Sequence, residues 1–255
     1  MLQAHSLIWH YLWVAPHVLQ LGLALLLWRR GLHRRLPVFF CFLIFEALEE
    51  FVLYGLDLAP SVHPQVWWDA FCTGVILEGL FRFAVIAELL QLLLRDWPSL
   101  ARTGRNVVGG FGAFLILFAS VAAAIRDPGD AHWMITSAHL LQQTFYITQA
   151  GLILSIFLLA AYFHVVWSKL EFGIALGFGI AWCEHLAAWA VTASGAFENA
   201  RNLFDLGNMA TYHVAVLIWI YYLLAPEPAS LQSSELPADH HLETWNRELE
   251  RLLQL

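Results

Sequence analysis

Charged residues are scarce in this sequence. Asp, Glu, Lys and Arg make up 13% of its 255 residues, against roughly 25% in an ordinary soluble domain, whereas hydrophobic residues make up 60%. A soluble core could not bury that much apolar surface. The apolar residues lie in stretches of about 19 to 28 residues, the length that a helix needs to cross a hydrocarbon core about 30 Å thick. The composition therefore predicts an integral membrane protein.

Basic residues and cysteines are also few. No Lys or Arg precedes Arg29, so the positive segment of a cleavable secretory signal is missing and the first apolar stretch is expected to remain. No basic face is present that could bind nucleic acid. The three cysteines, Cys41, Cys72 and Cys183, fall within apolar stretches, which favours a packing role over a disulfide framework.

The apolar stretches predict an all-α membrane protein, a seven-transmembrane-helix bundle formed by residues 1–225. The predicted spans cover about residues 6–28, 36–54, 66–94, 107–125, 135–166, 172–193 and 206–224. The fifth is too long for a perpendicular crossing, so part of it should tilt or project beyond the membrane.

Residues 226–255 are predicted to form a cytoplasmic linker followed by a short amphipathic helix. Leu242, Trp245, Leu249 and Leu252 recur at spacings of three and four, which places them on one face of that helix. The helix is expected to lie on the inner membrane surface or under the bundle. Alternatively, it could dock a protein partner.

The distribution of Lys and Arg predicts the orientation, because these residues accumulate in short cytoplasmic loops. Eight follow the first, third and fifth spans, whereas two lie in the alternate loops. The eight are Arg29, Arg30, Arg34, Arg35, Arg95, Arg102, Arg105 and Lys169, and the two are Arg126 and Arg201. The N-terminus is therefore expected outside and the C-terminus in the cytoplasm, in a multi-pass protein of the plasma or inner membrane.

Ionisable residues within apolar spans usually face the bundle interior and have a function, because a charge at the bilayer centre costs about 2.5 to 3.5 kcal/mol. Depth estimates from the helical rise bring such residues of several spans to the middle or outer part of the membrane. The candidate ligand- or metal-binding residues are His17, Glu46, Glu49, Glu50, Glu78, Arg82, Glu184, His185 and His213. Glu78 and Arg82 have the spacing of an ion pair along one helix, and Glu88 is expected to reach the interface.

Carboxylates outnumber basic groups in this set, and like charges in a low dielectric cannot all remain ionised. Protonated carboxyls, water in an outward-facing cavity or a divalent metal ion would compensate them. The candidate metal ligands are His17, Glu46, Glu50, Glu184, His185 and His213, whose imidazoles and carboxylates suit Zn, Fe or Mn. No metal-binding motif occurs within one span, so these ligands would have to converge from different helices.

Three functional classes fit these features. A receptor or sensor for a small ligand or metal ion, without its own output domain, is favoured by the seven spans, the short loops and the helical tail. A proton- or cation-coupled carrier would use the same glutamates, although the sequence shows no internal repeat. A metal-dependent membrane hydrolase would need an open coordination position.

The predicted layout is similar to that of microbial rhodopsins in the number, orientation and length of the spans. Rhodopsins hold retinal through a lysine in the seventh span. Here the seventh span, DLGNMATYHVAVLIWIYYLL, contains no Lys, and Lys169 is the one Lys of the sequence. A retinal Schiff base is therefore excluded.

Overall fold

The computed structural model describes residues 6–59, 61–95, 97–124, 131–162, 165, 167–193 and 201–225. These residues form seven α-helices and one short 3₁₀-helix, and no strand occurs among them. The helices are α1 (Leu7–Arg29), α2 (Pro37–Asp57), α3 (Pro64–Leu93), α4 (Pro98–Ala124), α5 (Ala131–Tyr162), α6 (Lys169–Ala193) and α7 (Arg201–Leu224). The predicted C-terminal linker and amphipathic helix lie outside the described residues.

The seven helices agree in order with the seven apolar stretches, but several boundaries differ, and α5 and α7 begin four and five residues before the predicted spans. α4 begins at Pro98, about two turns before the predicted span, because proline is a good first helical residue and the helix continues through the basic, water-facing segment. α5 ends at Tyr162 rather than near residue 166. Apolar length thus predicts the presence of a helix better than its ends.

Five helices contain described segments long and apolar enough to cross a membrane: Leu7–Arg29, Pro64–Leu93, Leu140–Tyr162, Lys169–Ala187 and Leu206–Leu224. α2 is apolar apart from Glu46, Glu49 and Glu50, and these three charged residues fall within every stretch of spanning length. Several outward-facing side chains on the helices are apolar and more than half exposed, as lipid contact requires; they include Phe114, Leu154 and Leu158. The chain is a multi-pass membrane protein in contact with the lipid bilayer.

A layer of aromatic side chains fills the bundle between α2, α6 and α7. It consists of Phe39, Phe42, Phe178, Trp182 and Trp219, none of them more than 2% exposed. The Phe178 ring lies 4.9 Å from that of Trp219 and 5.4 Å from that of Phe42. We call this set the aromatic layer.

The aromatic layer depends on close contact between α6 and α7. A side chain at Gly177 would collide with the Trp219 ring, and one at Gly173 would collide with Tyr222. Trp219 Nε1 donates a hydrogen bond to the Ile174 carbonyl at 3.2 Å. The two glycines therefore let α6 and α7 pack closely, as small residues do in membrane helices.

Polar contacts join the helix ends at the side of the bundle that carries Arg29 to Arg35, which we call the basic end. Arg30 Nη1 donates to the Leu223 carbonyl at 2.6 Å, and Arg35 Nη2 lies 2.6 Å from Glu171 Oε1. Glu88 accepts hydrogen bonds from the Val38 and Phe39 amides, both at 2.9 Å.

Glu88 lies on α3 at the basic end, where its carboxylate caps the start of α2. Its side chain is buried, because the first amides of α2 have no partners within their own helix and the carboxylate of α3 satisfies them.

Candidate functional site

The centre of the site is one buried arginine that contacts two carboxylates. Arg82 Nη2 donates to Glu46 Oε1 at 3.3 Å and is paired with Glu78, one turn earlier on α3. Arg82 and Glu46 are only 8% and 4% exposed. The Glu78–Arg82 spacing in the sequence thus corresponds to an ion pair, and Glu46 brings α2 to it.

Three further side chains surround the carboxylate of Glu46. Its Oε2 accepts hydrogen bonds from Gln20 Nε2 at 2.9 Å and from the Tyr212 hydroxyl at 2.7 Å. His17 Nδ1 lies 3.2 Å from Gln20 Oε1, and the His17 ring stacks on Tyr212 at 5.4 Å. Residues of α1, α2, α3 and α7 therefore meet in one hydrogen-bonded set, the central network, formed by His17, Gln20, Glu46, Glu78, Arg82 and Tyr212.

Two more glutamates lie on α2 within about one turn of Glu46. Glu50 Oε2 accepts a hydrogen bond from Trp13 Nε1 of α1 at 2.8 Å. The Glu49 carboxylate occupies the space beside Gly74 of α3, and its Oε2 is buried without a hydrogen-bond partner among the described residues. A larger residue than glycine at position 74 would displace it.

The charges of this region do not balance. Glu46, Glu49, Glu50 and Glu78 provide four carboxyls, whereas Arg82 is the one arginine in contact with them in the described part of the chain. Four ionised carboxylates would repel each other strongly in a low dielectric. The geometry therefore suits a bound cation or carboxyls that retain protons.

Glu184 and His185 of α6 form a second polar group. With its amide nitrogen facing the carboxylate, Asn208 of α7 donates to Glu184 Oε1 at 3.0 Å. His185 Nδ1 lies 3.4 Å from Glu184 Oε2, and its ring is 4.2 Å from that of Tyr146. Tyr146 in turn lies 5.2 Å from the Arg82 guanidinium, so one aromatic ring connects the two groups.

His213 occupies a third place in the bundle. Its ring lies 5.7 Å from that of Tyr11 on α1. Its Nδ1 is buried and has no hydrogen-bond partner in the part of the chain that the structure describes. No hydrogen bond in that part connects it to the central network.

The nine predicted site residues thus fall into three groups. Four of them, His17, Glu46, Glu78 and Arg82, belong to the central network, with Glu49 and Glu50 beside it on α2; Glu184 and His185 form the α6 pair, and His213 is separate. The predicted metal ligands are divided among all three groups. Within the described residues, no three His, Cys, Asp or Glu side chains converge as a metal site requires. Metal binding therefore remains a prediction.

Sequence reasoning missed Trp13, Gln20, Tyr146 and Tyr212. Tyrosine and tryptophan are abundant in membrane helices as interfacial anchors. The sequence alone therefore does not distinguish a tyrosine or tryptophan that donates a hydrogen bond to a buried carboxylate. A usable signal exists for Gln20, which lies three residues after His17 and on the same face of α1.

Comparison of the chain with protein-family models, with curated protein sequences and with solved structures found no match to any of them.

Proposed function

We propose that this protein is a seven-span membrane receptor or sensor that binds a small cation among the glutamates of α2 and α3. In this proposal the N-terminus is outside and the basic end faces the cytoplasm, as the distribution of Lys and Arg indicates. Glu46 and Arg82 then lie within the membrane. Glu49 and Glu50 lie nearer the outer face than Glu46.

The observation that carries the proposal is the surplus of carboxyls around Arg82. Arg82 contacts both Glu46 and Glu78 but carries one positive charge, and Glu49 and Glu50 have no opposing charge among the described residues. One buried oxygen of Glu49 also has no hydrogen-bond partner in the part of the chain that the structure describes. A cation bound between these carboxylates would supply both the missing charge and the missing contact.

A receptor accounts for the rest of the bundle. The aromatic layer is tightly packed, so an occupant of the acidic region contacts the bundle interior without an open path through it. A signal would reach the cytoplasm by helix movement, and the segment after residue 225 would present it to a protein partner.

A proton- or cation-coupled carrier is the second candidate, and a different observation favours it. His17, Gln20, Glu46, Arg82 and Glu78 form a continuous series of polar contacts across three helices. Series of this kind conduct protons in membrane pumps and transporters. Uptake into proteoliposomes distinguishes the two candidates, because a receptor binds the cation and transports none.

The proposal is tested by thermal unfolding of the detergent-purified protein in CaCl₂, ZnCl₂ or tetramethylammonium chloride. A cation that binds only the folded state should raise the melting temperature with the logarithm of its concentration, and at 100 times Kd the gain is about 2.7 kcal/mol. Glu49→Gln and Glu50→Gln should abolish this response, since Gln keeps the size and loses the charge.

Asp69→Asn is the matched control, because Asp69 is exposed and lies outside the central network. Its response to the same salts should equal that of the wild type. If none of the three cations stabilises the protein, or if the glutamine variants respond like the control, the cation site is wrong.

A further inference from the structure

The two carboxylate oxygens of Glu171, at the basic end, accept hydrogen bonds from different partners. Its Oε2 accepts a hydrogen bond from the Ser168 amide at 3.4 Å, while the Ser168 hydroxyl accepts one from the Glu171 amide at 3.3 Å. This reciprocal pair is the capping box that starts α6. The other oxygen, Oε1, accepts from Arg35 Nη2 at 2.6 Å.

The Arg35–Glu171 contact joins segments that are far apart in the sequence. Arg35 lies two residues before α2, which carries Glu46, whereas Glu171 lies in the first turn of α6, which carries Glu184 and His185. The side chain of Glu171 is 8% exposed and that of Arg35 is 41% exposed. The pair is therefore half-buried, so its contribution is larger than that of a freely solvated ion pair.

The aromatic layer lies between this contact and the central network. Phe39 and Phe42 follow Arg35 on α2 by about one and two turns, and Phe178 follows Glu171 by two turns on α6. Ring contacts of 6.2 Å for Phe39 and 5.4 Å for Phe42 connect them to Phe178. The same two helices are thus packed through the aromatic layer and tied by one ion pair below it.

We propose that the Arg35–Glu171 ion pair is a latch that holds α6 against α2 and keeps the basic end of the bundle closed. When the latch opens, α6 separates from α2 at the aromatic layer and exposes the inner part of the bundle. The proposed role in signalling rests on the function proposed above, since this movement would connect the cation site with the basic end. The ion pair and its proposed role in closing the basic end require no bound ligand.

The test measures how often the bundle opens. Cys41, Cys72 and Cys183 are first replaced by Ala, and the buried Ala175 of α6 is changed to Cys as a reporter. The rate of its reaction with N-ethylmaleimide in detergent is proportional to the open population. Glu171→Gln and Arg35→Gln should each raise this rate about tenfold, the effect of losing one charge-assisted hydrogen bond.

Two controls separate the latch from other causes. Ser168→Ala removes the capping hydroxyl but leaves the ion pair, whereas Glu171→Gln removes the ion pair and leaves a residue that capping boxes accept. A second reporter, Val75→Cys, is also buried and lies in the half of α3 that is farther from the basic end. Its labelling rate should not change in the latch variants.

Three results support the latch when they occur together: faster labelling at position 175 in both glutamine variants, no further increase when the two are combined, and an unchanged rate in Ser168→Ala. An equal increase in Ser168→Ala would assign the effect to fraying of α6, and faster labelling at position 75 would assign it to general loosening. Either result, or no change at all, overturns the proposal. No cation is added, so the latch can fail or hold independently of the cation site.

Discussion

Arg82 lies where α2, α3 and α5 meet, and its guanidinium has two carboxylates and the ring of Tyr146 around it. A buried ion pair contributes little net stability, because both charges lose their hydration. Removing one partner is costly, since it leaves the other charge buried and unpaired. The role of Arg82 is therefore to bring Glu46 of α2 and Glu78 of α3 to one positively charged group.

Arg82→Leu should destabilise the protein by about 3 to 5 kcal/mol, because Glu46 and Glu78 then face each other without a cation. Adding Glu78→Leu should recover part of this loss, since Glu46 still has Gln20 and Tyr212 as donors. Unfolding of the purified variants in detergent gives the comparison. The control is Arg105→Leu at an exposed position, which should change stability by less than about 0.5 kcal/mol. If the double variant is no more stable than Arg82→Leu, the two residues are not coupled.

The charged residues of the central network could be predicted from the sequence, because a charge is unfavourable within a membrane. Glu46, Glu78 and Arg82 could be identified because no apolar span tolerates them on its lipid face. Gln20 and Tyr212 could not, because a neutral amide or phenol is common in such spans and its partner lies on another helix. The sequence shows which groups need compensation, whereas only the packing shows which groups provide it.

Helix contacts in this bundle depend on where glycine lies. Gly177 lies against Trp219, so α6 and α7 can approach each other only without a side chain there. Gly151, on α5, has open space where a side chain would be and faces away from the core. The same substitution at these two positions should therefore have opposite effects.

Gly177→Ala should lower the free energy of unfolding by about 1 to 3 kcal/mol, because the added methyl group displaces Trp219 from the aromatic layer. Gly151→Ala should raise it by about 0.4 to 1 kcal/mol, because alanine favours the helix and meets nothing. Both values follow from unfolding of the purified variants in detergent. Equal effects of the two substitutions would contradict the close contact of α6 and α7.

The apolar stretches predicted the number and order of the helices in the described residues, because a chain in lipid must form its backbone hydrogen bonds within each helix. The helix ends were harder to predict. α4 starts at Pro98, about two turns before the predicted span, because its first turns contain Arg102 and Arg105 and are not apolar. The start of α2 was predicted to within one residue and has a local signal in Pro37, whereas its capping by Glu88, about 50 residues further along the chain, has none.

The orientation of the whole molecule is a prediction that two serines can test. Ser61 lies between α2 and α3, and Ser99 lies at the start of α4; both are exposed. In a background without the native cysteines, Ser61→Cys should react with a membrane-impermeant maleimide in intact cells, whereas Ser99→Cys should react only after lysis. The opposite pattern would invert the orientation. Labelling of both positions in intact cells would place both ends of α3 outside and would contradict a membrane crossing by α3.

The composition of α2 has a consequence for how the protein is made. At about 2.5 to 3.5 kcal/mol for each charged residue near the middle of a span, three glutamates offset much of the apolar gain of this helix. α1 supplies Gln20 and Trp13 to these glutamates, and α3 supplies Arg82. We therefore expect α2 to enter the bilayer together with α1 and α3, whose side chains contact its glutamates. On this expectation, the contact between Arg82 and Glu46 would matter for membrane insertion as well as for the folded bundle.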